Sequence, residues 1–186
     1  EYIDGENLAT LLRRVGRLTT EKAGHVAREL CLGLAAVHDR GVLHRDLKTA
    51  NVILDGRGEV RLTDFGIAVS FGESTTCERA GTPAYMAPEV LRGEPATVRS
   101  DIYSLGLILY ELVTGRSAIE PEPNTAADSS RVISPPSNWA SDLDPKFERI
   151  ILECLQADLR HRPESVYDVL GALPGGEVLT AMMAAG

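Results

Sequence analysis

Residues 44–51 place a carboxylate, an ammonium and an amide within one short stretch, which reads His-Arg-Asp-Leu-Lys-Thr-Ala-Asn. Asp64 follows Asn51 by thirteen residues and opens a second motif, Asp-Phe-Gly. A carboxylate such as Asp46 can orient a hydroxyl group and accept its proton. Carboxylate and amide oxygens are ligands that Mg²⁺ prefers, and an ammonium such as Lys48 can offset negative charge. The two stretches therefore predict one polar site that handles protons and anionic charge.

The sequence between these two stretches predicts a β-hairpin that would bring them together. Residues 52–54 and 60–62 are short β-type runs, and Asp-Gly-Arg-Gly at 55–58 is a turn signal. Because the two strands of a hairpin lie side by side, Asn51 and Asp64 would stand at the same end of the pair.

Most of the remaining sequence predicts helices. Apolar residues recur at helical spacing in five segments: 8–15, about 19–37, 101–114, from 145 onward, and about 164–173. The third segment is apolar nearly all round, which is typical of a buried helix, and Gly115 would end it. Long loops are expected over 66–88 and 117–142, which are rich in Ser, Thr or Pro. The chain is therefore expected to be mainly α, with one small hairpin.

The composition is that of an ordinary globular chain, with 186 residues of which 44% are apolar and 25% charged. A net charge of −8 argues against nucleic-acid binding. The longest apolar run is far too short to cross a bilayer, so no membrane segment is expected. Three cysteines and four histidines show no disulfide or metal spacing, which favours a reducing compartment such as the cytoplasm.

The polar stretches resemble three motifs of one known family. With Ala-Pro-Glu at 87–89, residues 44–51 and 64–66 resemble, in this order, the catalytic loop, the magnesium-binding loop and the end of the activation segment of protein kinases. Asp-Phe-Gly alone is more often an ordinary turn, so the resemblance rests on the three motifs together. Further likenesses reach most of the chain: a hinge at 1–5, a substrate-docking loop at 81–86, and the start of a central buried helix at 101–106.

The resemblance implies the C-terminal lobe of the α+β protein-kinase fold, with the small hairpin carrying the catalytic and magnesium loops. Residues 1–173 would form a partial kinase domain of hinge and C-lobe, and residues 174–186 a tail or linker. The Gly-rich loop, strand Lys and helix Glu of the N-terminal lobe do not occur in the sequence. We therefore expect residues 1–186 alone to bind nucleotide weakly and to transfer no phosphate. The alternative is a kinase-like binding or scaffold module without turnover.

The resemblance also implies roles for the polar residues, with ATP and Mg²⁺ as cofactors. Asp46 and Lys48 would be the catalytic residues: Asp46 would take the proton of the acceptor hydroxyl, and Lys48 would contact the γ-phosphate. Asn51 and Asp64 would bind Mg²⁺. Thr82, in the docking loop, would contact both Asp46 and Lys48.

At the adenine end of ATP, the resemblance implies three apolar residues. The backbone of Ile3 would hydrogen-bond adenine, and Leu8 and Ile53 would form an apolar floor beneath it. Plain packing in the core of the strand is the alternative for Ile53.

Two structural contacts are implied as well. Asp101 would cap the central helix and hold the backbone of the catalytic loop, with the cap alone as the alternative. Arg162 would form a buried ion pair with Glu89, whereas the alternative is an ordinary surface arginine.

Lys48 and Gly-Thr-Pro at 81–83 resemble Ser/Thr rather than Tyr kinases, which implies a protein substrate with a Ser or Thr acceptor as the partner besides ATP. Residues 62–63, 67–68 and 99–104 resemble bacterial kinases of the eukaryotic-like (Hanks) type. In that family a transmembrane helix often follows the kinase domain, so membrane anchoring of a longer protein is the alternative to a purely cytoplasmic one.

The arginine beside the catalytic aspartate suggests regulation by phosphorylation. The Arg45 guanidinium would bind an anionic group, which a phosphorylated activation loop supplies. The candidate acceptors are Ser70, Ser74, Thr75 and Thr76. The alternative for each is an ordinary solvated loop residue.

Overall fold

The computed structural model describes residues 5–64, 69–70, 82–119 and 133–176 of the chain. Several residues that the sequence singled out lie outside these ranges: Ile3, Phe65, Gly66, Ser74, Thr75, Thr76 and Gly81. Of Ser70, only the backbone is described.

Most of the regular secondary structure in the described chain is helical: α1 (Leu8–Val15), α2 (Thr20–His38), α3 (Pro88–Leu91), α4 (Val98–Thr114), α5 (Pro145–Cys154) and α6 (Val166–Ala172). The five predicted helices are all present, and the short α3 adds to them. The prediction of a mainly α fold is therefore confirmed. None of the described helices is both long and apolar enough to cross a membrane.

The strands are short: β1 (Gly5–Asn7), β2 (Val42–Leu43), β3 (Val52–Asp55), β4 (Val60–Leu62) and β5 (Val69–Ser70). The predicted hairpin is β3–β4, in which Val52 stands opposite Leu62. β1 adds a third antiparallel strand on the other side of β3, and β2 pairs separately with β5. The sequence did not predict β1, because the residues of Gly-Glu-Asn have low strand propensity and form a strand here only by pairing with β3.

The central helix α4 begins three residues earlier than predicted, at Val98 instead of Asp101. Thr97 and Ser100 form a capping box, in which the Thr97 N–H donates a hydrogen bond of 3.0 Å to Ser100 Oγ. The prediction that Asp101 caps this helix is therefore wrong, since Asp101 lies within the first turns. Gly115 ends the helix as predicted, with a left-handed φ of 69° that suits glycine.

The hydrophobic core surrounds α4, whose residues 102–113 are buried except for the half-buried Glu111. This helix packs against α2 and α5, and α2 also packs against α6. Gly106 allows α5 to come close, because a Cβ atom at this position would lie 2.7 Å from Cys154 Cβ and 3.1 Å from Leu155 Cδ2. A rigid, fully packed helix thus runs through the middle of the described chain.

The predicted ion pair between Arg162 and Glu89 is confirmed. Two parallel hydrogen bonds of 2.8 Å join the guanidinium to the two carboxylate oxygens, and both side chains are almost completely buried. Ser100 Oγ donates a further bond of 2.8 Å to the same carboxylate. Because Glu89 directly follows residues 82–88, this pair anchors that segment to the core.

Candidate active site

The carboxylate of Asp101 holds the first half of the catalytic loop, which as a whole comprises residues 44–51. Its Oδ2 accepts a hydrogen bond of 2.8 Å from the His44 N–H, and its Oδ1 accepts one of 2.9 Å from the Arg45 N–H. Arg45 has a left-handed φ of 65°, which is unfavourable for a residue other than glycine. The two bonds from the rigid helix α4 offset that cost. The prediction that Asp101 holds the catalytic-loop backbone is therefore confirmed.

His38, at the end of α2, is a third partner of Asp101 that the sequence did not indicate. Its Nε2 lies 2.9 Å from Asp101 Oδ2, and its side chain is about nine-tenths buried. The neutral ring can donate through Nε2 to the carboxylate. A histidine at the end of a helix carries no sequence signal for this contact, since Asp101 lies sixty-three residues away.

The carboxylate of Asp46 is the centre of the site, and four hydrogen bonds converge on it. Oδ1 accepts bonds from the backbone N–H and the hydroxyl of Thr82, at 2.9 and 3.0 Å. Oδ2 accepts bonds from Lys48 Nζ at 2.7 Å and from Asn51 Nδ2 at 3.1 Å. Lys48 Nζ also donates to Thr82 Oγ1 at 2.8 Å, so three side chains form a closed ring. The predicted contacts of Thr82 with Asp46 and Lys48 are both present.

The electrostatics of this ring favour the ionised form of Asp46. Burial alone would raise the pKa of this carboxyl, but the hydrogen bonds from Lys48 and Thr82 and the positive charge of Lys48 outweigh that effect. The pKa of Asp46 therefore lies below its ordinary value. At neutral pH the site holds an oriented carboxylate in contact with an ammonium.

The hairpin brings Asn51 and Asp64 to the same end of β3 and β4, as the sequence predicted. Thr63 donates two hydrogen bonds to the Asn51 carbonyl, from its N–H at 3.0 Å and from its hydroxyl at 3.2 Å. Asn51 Nδ2 is engaged by the carbonyl of Asp46 at 2.9 Å as well as by its carboxylate, so the amide oxygen is the ligand-type atom of this side chain. Asp64, next to Thr63, is exposed and has a left-handed φ of 60°. Within the described ranges, no cluster of three or more His, Cys, Asp or Glu side chains could hold a metal by itself.

The two described residues that the sequence assigned to the adenine floor differ in exposure. Leu8 is completely buried in the hydrophobic core. Ile53 is half-buried in β3, opposite Asn7 of β1 and Arg61 of β4. Of the two, only Ile53 has surface that a ligand could contact in this structure.

A family model for the protein kinase domain matches residues 1–170. The chain belongs to the protein kinase domain family. The match covers the catalytic loop, the hairpin and five of the six described helices in full, together with the beginning of α6. The resemblance inferred from the three motifs is thereby confirmed.

Individual relatives of this kinase domain are mostly bacterial Ser/Thr kinases. The probable serine/threonine-protein kinase PknB of Corynebacterium glutamicum is 39% identical in an alignment of 153 residues that covers 78% of this chain and 24% of that protein. The serine/threonine-protein kinase PrkC of Bacillus subtilis is 33% identical in an alignment of 175 residues that covers 91% of this chain and 27% of that protein. The mitogen-activated protein kinase kinase 1 of Arabidopsis thaliana is 35% identical in an alignment of 173 residues that covers 87% of this chain and 49% of that protein. The chain thus spans from about a quarter to about half of the length of these relatives.

Proposed function

We propose that the protein is a Ser/Thr protein kinase, which transfers the γ-phosphoryl group of ATP to Ser or Thr hydroxyls of protein substrates. The observation that carries this proposal is the ring of Asp46, Lys48 and Thr82, in which an ionised carboxylate and an ammonium are fixed side by side. Phosphoryl transfer needs mainly positioning and charge neutralisation, and these are what the ring offers.

In the proposed reaction, the substrate hydroxyl forms a hydrogen bond to Asp46, which orients its oxygen toward the γ-phosphorus. The new bond forms between that oxygen and phosphorus while the bond from phosphorus to the β–γ bridging oxygen breaks. The hydroxyl proton passes to Asp46, and ADP leaves. Lys48 places its positive charge at the γ-phosphate oxygens, and Thr82 holds the carboxylate and the ammonium in register.

Asn51 and Asp64 are the proposed ligands of Mg²⁺, which would neutralise phosphate charge when bound. The hard oxygens of an amide and a carboxylate suit this ion. Mg²⁺ usually takes its remaining ligands from water and substrate phosphates, so two protein ligands are sufficient. At the adenine end, Ile3 and Ile53 are the proposed contacts. Leu8 would join them only if its buried side chain became accessible.

The remaining proposals concern the extent and setting of the kinase. Residues 1–173 are proposed to be its hinge and C-lobe, and 174–186 a tail or linker. ATP as a substrate suits the cytoplasm, and so do the free buried thiols of Cys31 and Cys154. A membrane anchor elsewhere in a longer protein is compatible with this placement.

Activation by phosphorylation remains a proposal as well. It is supported by the position of Arg45 beside Asp46, and by the pairing of Ser70 with Val42 shortly before the catalytic loop. Replacement of Ser74, Thr75 and Thr76 together by Ala should reduce kinase activity in the full-length protein. Unchanged activity would exclude activation through phosphorylation of these three residues.

The test of the proposed activity is the kinetics of γ-phosphoryl transfer by the full-length protein and two variants. Asp46→Asn should lower kcat by a factor of about 10² to 10⁴, the usual contribution of a general base. Asp142→Asn is the matched control, because Asp142 is an exposed aspartate that pairs with Arg17 at the surface. A binding module without turnover would instead give no transfer with any of the three proteins, and equal rates in wild type and Asp46→Asn would refute the role of this carboxylate.

A further inference from the structure

A chain of hydrogen bonds through three side chains connects the catalytic loop to the central helix, outside the ring around Asp46. Tyr85 Oη lies 2.8 and 2.9 Å from the two carboxylate oxygens of Glu111, and Thr49 Oγ1 lies 2.8 Å from Tyr85 Oη. Thr49 is buried, whereas Tyr85 and Glu111 are half-buried.

The direction of this chain follows from the number of protons available. Burial raises the pKa of Glu111 above its ordinary value, whereas the hydrogen bonds with Tyr85 and Thr49 favour its ionised form. The ionised carboxylate only accepts hydrogen bonds, so the single hydroxyl proton of Tyr85 points to it. Burial and the neighbouring negative charge of Glu111 raise the pKa of Tyr85, so the phenol keeps that proton. Tyr85 Oη is then an acceptor toward Thr49, whose hydroxyl must donate. Each bond polarises the next in a chain from Thr49 through Tyr85 to Glu111.

The chain joins the two segments whose side chains meet in the ring. Thr49 directly follows Lys48 and begins the one-turn 3₁₀ helix Thr49–Asn51. Tyr85 ends the 3₁₀ turn Pro83–Tyr85, which directly follows Thr82. A displacement of either turn would therefore carry one member of the ring with it.

Helix α4 thus holds the site at two places. Near its beginning, Asp101 binds the first half of the catalytic loop, as described above. Ten residues later, or roughly 15 Å along the helix axis, Glu111 receives the chain from the second half. Ser104, between them, donates a hydrogen bond of 2.7 Å from its Oγ to the Tyr85 carbonyl.

We propose that Thr49 is a positioning residue, which acts through Tyr85 and Glu111 to keep Lys48 in register with Thr82. The inference rests on the proposed kinase activity. Loss of the Thr49 hydroxyl would remove the hydrogen bond that Tyr85 Oη accepts, and with it the contact that ties the turn Thr49–Asn51 to Tyr85. Because the turns position the reacting groups and not adenine, the effect falls on kcat and not on the KM for ATP.

The test compares kcat, the KM for ATP and the melting temperature of four variants of the full-length protein. Thr49→Val preserves the side-chain shape and should lower kcat roughly tenfold, as expected for loss of about one buried hydrogen bond. Tyr85→Phe should give a similar loss, and the double variant should be little worse than either single one, because all of them break the same chain. Thr49→Ser retains the hydroxyl and should stay within about twofold of wild type.

Three results would overturn this inference. The first is a wild-type kcat in Thr49→Val with only a lower melting temperature, which would make Thr49 merely structural. The second is a decrease of kcat in the double variant that equals the product of the decreases in the two single variants, which would make the residues independent. The third is an equal decrease of kcat in Thr49→Ser and Thr49→Val. If Thr49→Val fails to fold, Tyr85→Phe must still show the selective loss of kcat. Inactivity of the wild type would refute the proposed function itself, and the inference with it.

Discussion

Replacement of Arg162 by Met tests the structural anchor of the site. The guanidinium is completely enclosed, and besides its two bonds to Glu89 it donates to three backbone carbonyls: Gln156 at 2.7 Å, Arg99 at 3.0 Å and Ala157 at 3.2 Å. Methionine fills much of the same space but can make none of these bonds. The carboxylate of Glu89 would remain buried with Ser100 as its described side-chain partner.

The expected loss of stability is large. Removal of one partner from a buried ion pair typically costs about 3–5 kcal/mol, because the other charge remains buried without compensation. The free energy of unfolding of natural domains is about 5–15 kcal/mol in total, so this one change would remove a large part of the stability. For a chain of this size, the melting temperature would fall by about 6–20 °C.

The pH dependence adds a second signature of the same pair. Burial alone would raise the pKa of Glu89, but the hydrogen bonds and positive charge of Arg162 outweigh it and keep the pKa below the ordinary value of 4.5. The stabilisation is therefore fully present above that pH and is lost as the pH falls through the lower folded-state value. In the Arg162→Met variant, the buried carboxyl gains stability when it is protonated. The difference in unfolding free energy between wild type and variant should therefore narrow below pH 4.5.

The assay is urea denaturation of the purified proteins, with Arg160→Met as the matched control. Arg160 lies two residues away and also pairs with an acid, Asp158, but its side chain is exposed. Its replacement should change the midpoint of urea denaturation little, because surface ion pairs contribute little to stability. Equal destabilisation by the two substitutions, or a difference that stays constant at low pH, would refute the reasoning about Arg162.

Two further predictions concern α4 and its contacts. Gly106→Ala should destabilise the protein by about 1–3 kcal/mol in urea denaturation, because the new methyl group would overlap Cys154. Gly24→Ala in α2 is the matched control and should stabilise by about 0.5–1 kcal/mol, since the new methyl meets only a flexible arginine end at 3.4 Å. A loss at both positions would contradict this explanation. Asp101→Asn should lower the free energy of unfolding by roughly 1.5–3 kcal/mol and should also lower kcat, because a neutral amide holds the strained backbone at Arg45 less well. An unchanged kcat would contradict this prediction.

The sequence predicted the local part of the fold well. The helices follow from apolar periodicity, and the β3–β4 hairpin from two β-type runs around Asp-Gly. The misplaced start of α4 has a clear cause: the mostly apolar run begins at Ile102, directly after Asp101, whereas the capping box of Thr97 and Ser100 lies before it. β1 was missed because its pairing with β3 is formed between residues almost fifty positions apart, such as Asn7 and Ile53.

The candidate site shows the same division. The proximity of Asn51 and Asp64 follows from the hairpin alone. The contact of Thr82 with Asp46 spans thirty-six residues, and only the resemblance to the kinase family indicated it. No local pattern could reveal that Tyr85 binds Glu111, because that contact depends on how a loop packs on a helix distant in sequence.

The most direct test of the central claim is the identification of the residues that receive phosphate from ATP. The full-length protein is incubated with ATP labelled at the γ-phosphate, and the labelled amino acids of the protein and an added substrate are identified by mass spectrometry. We predict label on Ser and Thr, and loss of that label in Asp46→Asn. Label on Tyr alone, or undiminished label on Ser and Thr in Asp46→Asn, would contradict the account.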